Sequence, residues 1–147
     1  MLEILETIEE RKEAPLLQLL EDFGGWPVLK GQNWTETNFS WIDTVTKLRL
    51  FNNDILVSIW IAPDGKDSDE FILQFDQSDL FLPSMDYYKL GFNHQIMQTY
   101  YNMLIDVSTI LGADPDLAKK DMKDLIDFET EVASVRAEKL KLFQIDA

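Results

Sequence analysis

The sequence predicts a mainly α-helical α+β fold: a helical lobe segment carrying one antiparallel β-hairpin around residues 55–75. Three observations predict it. Apolar residues recur at three- and four-residue intervals over most of the chain, the period of a helix that buries one face. That period gives way where Ile55-Leu56-Val57-Ser58-Ile59-Trp60-Ile61 and Phe71-Ile72-Leu73-Gln74-Phe75 concentrate β-branched and aromatic residues. Between these runs lies Pro63-Asp64-Gly65-Lys66-Asp67-Ser68-Asp69, rich in turn formers and too short for the crossover a parallel pair needs.

Taken in order, Leu2, Leu5 and Ile8 at helical spacing predict a first short helix to about Lys12. Pro15 stands where a second helix tolerates it, in the first turn; Leu16, Leu17, Leu19 and Leu20 form its stripe, and Gly24-Gly25 stop it. Trp26-Pro27-Val28 is expected to leave in extended form, followed by a polar loop from Gly31 to Ser40. A third helix spans Trp41 to Leu50, with Trp41, Val45, Leu48 and Leu50 inward, and Asn52-Asn53 breaks it. After the hairpin come two long helices. The first turns Ile96, Tyr100, Met103, Leu104, Val107, Ile110 and Leu111 to one face and ends near Gly112. Asp114-Pro115 supplies the N-cap and first turn of the second, with Ala118, Met122, Leu125, Ile126 and Val132 inward and Lys119, Lys120 and Lys123 in water.

At 147 residues the chain is one domain long, and 46% apolar with 27% charged residues is a globular composition. A net charge of −14 excludes a nucleic-acid surface, which needs lysine and arginine to displace counterions. It suits solubility, or the steering of basic peptides. With no cysteine there is no disulfide, thiol nucleophile or cysteine-bound zinc. No apolar run approaches the ~20 residues of a membrane helix. Met1-Leu2-Glu3-Ile4-Leu5-Glu6 is acidic and amphipathic, unlike a signal peptide, so no signal, anchor or membrane segment is expected in this chain.

The search for chemistry is mostly exclusion. The sole histidine, His94, rules out a His-Glu-x-x-His zinc helix, and near a helix start it reads as a capping or surface residue. No Gly-x-Ser-x-Gly elbow and no phosphate-cradling glycine loop is present. Asp64, Asp67 and Asp69 lack the twelfth-position glutamate of a calcium loop. Catalytic and metal residues are therefore expected to be none, and this chain is expected to hold no cofactor. Asn33-Trp34-Thr35 and Asn38-Phe39-Ser40 are N-glycosylation sequons in a predicted surface loop, which makes Asn33 and Asn38 candidate glycan sites.

An ordered set of motifs carries a family likeness: Pro15-Leu16-Leu17 with Leu20, then Gly24-Gly25-Trp26-Pro27, then the strand Leu56 to Asp64 and its partner ending Phe75-Asp76-Gln77. The block Leu80-Phe81-Leu82-Pro83-Ser84-Met85-Asp86-Tyr87-Tyr88 follows, then the helix with Tyr100 and Met103, and Phe128-Glu129-Thr130-Glu131-Val132-Ala133. Together they resemble the N-terminal, non-catalytic portion of the neprilysin and endothelin-converting enzyme family of zinc endopeptidases. Gly24, Gly25, Trp26, Pro27, Leu82, Pro83, Ser84, Asp86, Tyr87 and Tyr88 are its structural signature here. The likeness covers residues 1–135, and a divergent tail, 136–147, ends in Leu140, Leu142, Phe143 and Ile145. Met85 stands where the family usually has arginine; Leu90 and Gln98 stand near positions where some relatives carry cysteine.

The resemblance implies a parent that cleaves small peptides in a chamber between two lobes, at the plasma membrane in type II orientation or outside the cell. This portion would form chamber wall, inactive alone, while zinc belongs to the complete parent. Its partners would be a C-terminal catalytic half absent from this chain, and the parent's peptide substrates. A stand-alone module that binds peptides or a partner without catalysis is the alternative.

Overall fold

The structure, a computed structural model, describes residues 10–145. The predicted first helix around Leu2, Leu5 and Ile8 lies outside them. The described residues form six α-helices and one two-stranded sheet: α1 (Ala14–Asp22), α2 (Pro27–Lys30), α3 (Trp41–Leu50), β1 (Val57–Pro63), β2 (Phe71–Gln77), α4 (Met85–Lys89), α5 (Gln95–Ile110) and α6 (Pro115–Ile145). The mainly α fold with one antiparallel hairpin is thus as the sequence predicts. The chain divides into two compact units, residues 1–38 with 84–147, and residues 39–83.

In the helical unit, α1 carries Pro15 in its first turn and ends where Gly24 and Gly25 take positive φ, +100° and +79°. A Cβ on Gly25 would sit 2.4 Å from Lys30 Cε, which the flexible lysine could relieve by shifting, so it is the positive φ that calls for glycine there. The expected extended run after it is corrected. Only Trp26 is extended; Pro27, with its ring pre-set for helix and no N–H to satisfy, starts α2. The expected loop beyond is two short 3-10 turns, Gly31–Asn33 and Glu36–Asn38.

His94 is the N-cap of α5, its Nδ1 accepting from the Ile96 amide at 3.3 Å. Gly112, at φ +105°, ends that helix, and the Ala113 amide reaches back to the Ser108 carbonyl at 2.9 Å. Asp114 Oδ1 then accepts from the amides of both Asp116 and Leu117 at 3.0 Å, which caps α6. Such a cap is worth about 1 kcal/mol. The helix runs unbroken to Ile145.

The core of this unit lies between α5 and α6. Val28, Ala113, Ala118 and Met122 form one buried cluster, flanked by Trp26, Leu29, Tyr101, Leu104, Ile105 and Leu117. Tyr88, Met97, Tyr100, Ile126 and Ala133 are buried as well. The inward face of α5 differs in part from the predicted one: Tyr100 is buried as predicted, but Met97 and Ser108 are buried with it, while Ile110 is 77% exposed and Ile96, Met103 and Val107 are also open. The helix carries apolar residues on two faces, and periodicity alone set the inward stripe too far round: Tyr100 is buried and Leu104 and Leu111 half-buried as predicted, the rest of the predicted stripe is open. On α6, Ala118, Met122 and Ile126 are inward as predicted, but Leu125 is exposed. Lys119 and Lys120 are exposed. Lys123 is half-buried, its ammonium 4.6 Å above the Phe92 ring, which itself meets Tyr101 edge-on at 5.2 Å.

In the second unit, α3 starts at Ser40, whose Oγ accepts from the Asp43 amide at 3.2 Å, and stops before Asn52 at φ +57°. Val45 and Leu48 are half-buried as expected, but Trp41 and Leu50 are 58% and 82% exposed, a correction to the predicted inward face. β1 and β2 pair in the register Val57↔Gln77 through Ile61↔Leu73 to Pro63↔Phe71. Arg49 of α3 makes an ion pair with Asp54 and donates to the Ile59 carbonyl of β1. Ser78 is the sole buried residue of this unit.

Candidate functional site

The signature block Leu82 to Tyr88 leads into the most constrained polar cluster of the helical unit. Ser84 Oγ accepts from the Asp86 amide at 3.2 Å and so starts the short helix α4. Asp86 is exposed and pairs with Lys89 at 2.6 Å; that hydrogen bond and the lysine's charge hold its carboxyl below the usual aspartate value. Pro83 is exposed, and Leu82, Met85 and Tyr87 are half-buried. The one-turn helix drives Tyr88 inward, where it is 3% exposed.

Tyr88 meets two residues from the long helices. Its hydroxyl donates to Glu129 Oε2 of α6 at 3.3 Å, and the Tyr100 hydroxyl of α5 donates to the same oxygen at 2.8 Å. One carboxylate oxygen therefore ties α4, α5 and α6. Burial pushes the Glu129 carboxyl above its ordinary value, against the two hydroxyls, which favour the charged form. Burial likewise raises Tyr100, helped by the hydrogen bond to Glu129 and its charge.

Glu129 escapes a reading by motif, yet it left a signal. It falls three residues after Ile126 and four before Ala133, both buried, so it sits on the inward stripe of α6. A carboxylate there needs buried donors, and the chain offers tyrosines on the neighbouring elements. Chemically the arrangement is a tie. The Tyr100 phenol is held high by burial, and the Glu129 oxygen already accepts from two hydroxyls.

The other signature residues serve backbone geometry. Gly24 and Gly25 provide positive φ, Trp26 is the extended N-cap of α2, and Pro27 its first residue. Lys30, folded back over Gly25, pairs with Glu21 at 2.6 Å. This corner borders a cavity of about 380 Å³ lined chiefly by Leu17, Leu20, Trp26, Leu29 and Leu111. Asn33 is exposed at the end of the first 3-10 turn, and Asn38 closes the second. The predicted set is thus dispersed: Tyr88 joins the polar tie, Gly25 and Trp26 the corner, and the sequon asparagines the turns.

His94 is exposed and its Nδ1 is engaged in a cap. Among the described residues no group of three or more histidine, cysteine, aspartate or glutamate side chains is placed to hold a metal ion. Nor is any helix there long and apolar enough to cross a membrane.

Comparison with known proteins agrees with the motif order. The sequence model for the N-terminal portion of Peptidase family M13 matches residues 5–145. Neprilysin-2 of Drosophila melanogaster is 32% identical over 131 residues, 87% of this chain and 17% of that protein. Endothelin-converting enzyme 1 of Mus musculus is 33% identical over 131 residues, 87% of this chain and 16% of its own length. Membrane metallo-endopeptidase-like 1 of Homo sapiens is 33% identical over 139 residues, 86% of this chain and 18% of the relative. The chain therefore spans about a sixth of the length of these relatives.

Proposed function

This chain belongs to Peptidase family M13, as a stretch of its N-terminal portion, and from that premise we propose that it is wall rather than catalyst in a neprilysin-like zinc endopeptidase acting on small peptides. The observation that carries the reading is the ordered signature, Gly24-Gly25-Trp26-Pro27 through Leu82 to Tyr88, in a sequence with one histidine and so without His-Glu-x-x-His. The Tyr88–Tyr100–Glu129 tie supports it, because a chamber wall needs fixed helices more than reactive groups. Zinc would be held by the catalytic half of the complete peptidase, with the parent at the membrane or outside the cell. In a secreted parent, Asn33 and Asn38 would carry glycans.

Two measurements test this. The purified 147-residue chain is incubated with a fluorogenic peptide library, with and without a zinc chelator. No hydrolysis is expected, and chelator-sensitive cleavage would overturn the proposal. The transcript is then read beyond codon 147. An in-frame His-Glu-x-x-His supports the peptidase parent, whereas a stop codon favours a second reading, a stand-alone binding module. The exposed Ile61, Phe71, Leu73 and Phe75 of the hairpin speak for that alternative.

A further inference from the structure

We propose that the outer edge of β2 is a docking site for one more strand: an extended peptide with alternating apolar side chains and lysine or arginine at both ends. The hydrogen-bond phase of the hairpin defines that edge. The Asp64 amide donates to the Glu70 carbonyl at 2.9 Å, so Asp64 and Glu70 form a bonded pair. Alternation along the register then turns the amides and carbonyls of Val57, Ile59, Ile61 and Pro63 away from β2, and those of Phe71, Leu73, Phe75 and Gln77 away from β1.

The two edges are treated differently. On β1, the Val57 amide donates to the Ile55 carbonyl, and Arg49 donates to the Ile59 carbonyl. Pro63 has no N–H, and its carbonyl accepts from Gln74 Nε2 at 3.4 Å. Charge and proline on an outer strand are the usual guards against further pairing. On β2, the Gln77 amide is taken by Asp76 Oδ1 at 2.7 Å. Within this unit no described hydrogen bond reaches the outward amides and carbonyls of Phe71, Leu73 and Phe75. Three consecutive outward residues thus form a template six hydrogen bonds long.

The side chains extend it. Phe71, Leu73 and Phe75 share one sheet face with Val57, Ile59, Ile61 and Pro63, and they are 67%, 56% and 65% exposed. A third strand presenting apolar residues on that face would widen an apolar surface already begun.

Charge selects the occupant. Glu70 and Asp76 bracket the open stretch and are exposed, in a unit with eight acidic residues and three basic ones. A second copy of β2 paired antiparallel about Leu73 would set Glu70 opposite the other copy's Asp76, twice. Like charges directly opposite are destabilising. A peptide with a basic residue at each end meets the same positions with opposite charge and leaves the apolar pairing intact.

The test is binding, read without hydrolysis, so its failure leaves the peptidase reading untouched and the converse holds. The full 147-residue chain is titrated against fluorescein-labelled Lys-Val-Thr-Val-Thr-Val-Lys by anisotropy. Saturable binding is expected, at least about tenfold weaker for the same peptide with glutamate ends, and weaker as salt rises. N-methylating the three valine amides should abolish it. Leu73→Pro should weaken it at least about tenfold, because Leu73 N–H points outward and the ladder to β1 runs through Ile72 and Gln74. If that variant loses the hairpin by circular dichroism, the N-methylated peptide asks the same question of the unchanged protein. No binding, equal affinity for lysine and glutamate ends, or full binding of the N-methylated peptide would overturn the proposal. So would a dimer in sedimentation that Leu73→Pro abolishes, which would make a second copy the occupant.

Discussion

The helical unit and the 39–83 unit contain similar kinds of residue and place them in opposite ways. In the first, Ile126, Met97, Met122 and Val28 are at most 2% exposed, and even the charged Glu129 is enclosed by tyrosines. In the second, Ile61, Phe71, Leu73 and Phe75 are all more than half exposed. A two-stranded hairpin is marginal in isolation, and here a ladder, a turn and the Arg49 clamp give it shape. The helical unit is organised by what it buries, while the hairpin is organised as a surface to be covered. Three perturbations bear on that contrast.

The largest effect is expected at the centre of the buried side. Ile126 is 1% exposed on the inward stripe of α6, so Ile126→Ala removes buried methyl groups and leaves a cavity. A loss of about 2–5 kcal/mol is expected, read as a fall in the urea midpoint by far-UV circular dichroism. A loss below about 1 kcal/mol would mean the two units are equally loose, and the contrast would fail.

The next effect is chemical. Tyr100→Phe leaves Glu129 with the longer bond from Tyr88 alone and should cost about 1.5–3 kcal/mol at neutral pH, a typical range for a hydrogen bond to a charged group. Tyr88→Phe should cost less. The pH dependence sharpens this. Burial raises the folded-state value of Glu129 above the ordinary 4.5, so the folded chain binds that proton more tightly than the unfolded one. Its contribution favours folding below pH 4.5 and is lost as pH rises through the folded value. Urea midpoints for wild type and Glu129→Gln, compared across pH, should show the wild type losing ground from about pH 4.5 upward. The difference between the two isolates Glu129 from the chain's other carboxylates. A flat difference would show that the carboxyl is not buried in solution.

How much was legible follows the same divide. Local chemistry was: Gly24-Gly25 stop α1, Asp114-Pro115 start α6, His94 caps α5, and the hairpin pairs where its turn formers put it. These depend on residues within a few positions of one another. Facing was less legible. α5 has apolar residues on two sides, and the chain's own packing covers Met97 beside the predicted Tyr100, leaving the predicted Met103 and Val107 open. Trp41 and Leu50 look like core by type, yet they are 58% and 82% exposed, in a unit that leaves many of its large apolar side chains open. The Glu129 tie joins residues 29 and 41 positions apart, beyond any local motif, although a charge on an inward stripe announces that a partner is needed. Trp26-Pro27 was misread because proline suits an extended exit and a helix start equally well; the short α2 decides for the latter.

The smallest effect is expected on the exposed side, and it is the sharpest form of the contrast. Phe71 and Phe75 are about two-thirds exposed, so replacing both with serine removes little area that folding takes from water. Serine is a poorer strand former than phenylalanine, which costs a few tenths of a kcal/mol at each position. The melting midpoint of the Phe71→Ser, Phe75→Ser double variant should therefore stay close to wild type, within about 1 kcal/mol in total. Solubility should rise, since an apolar face is broken without touching the amides and carbonyls of the strand edge. Light scattering against concentration measures the second effect and thermal unfolding the first. A large loss of stability would show that the hairpin face is already covered by the chain's own residues, leaving no surface to be filled from outside.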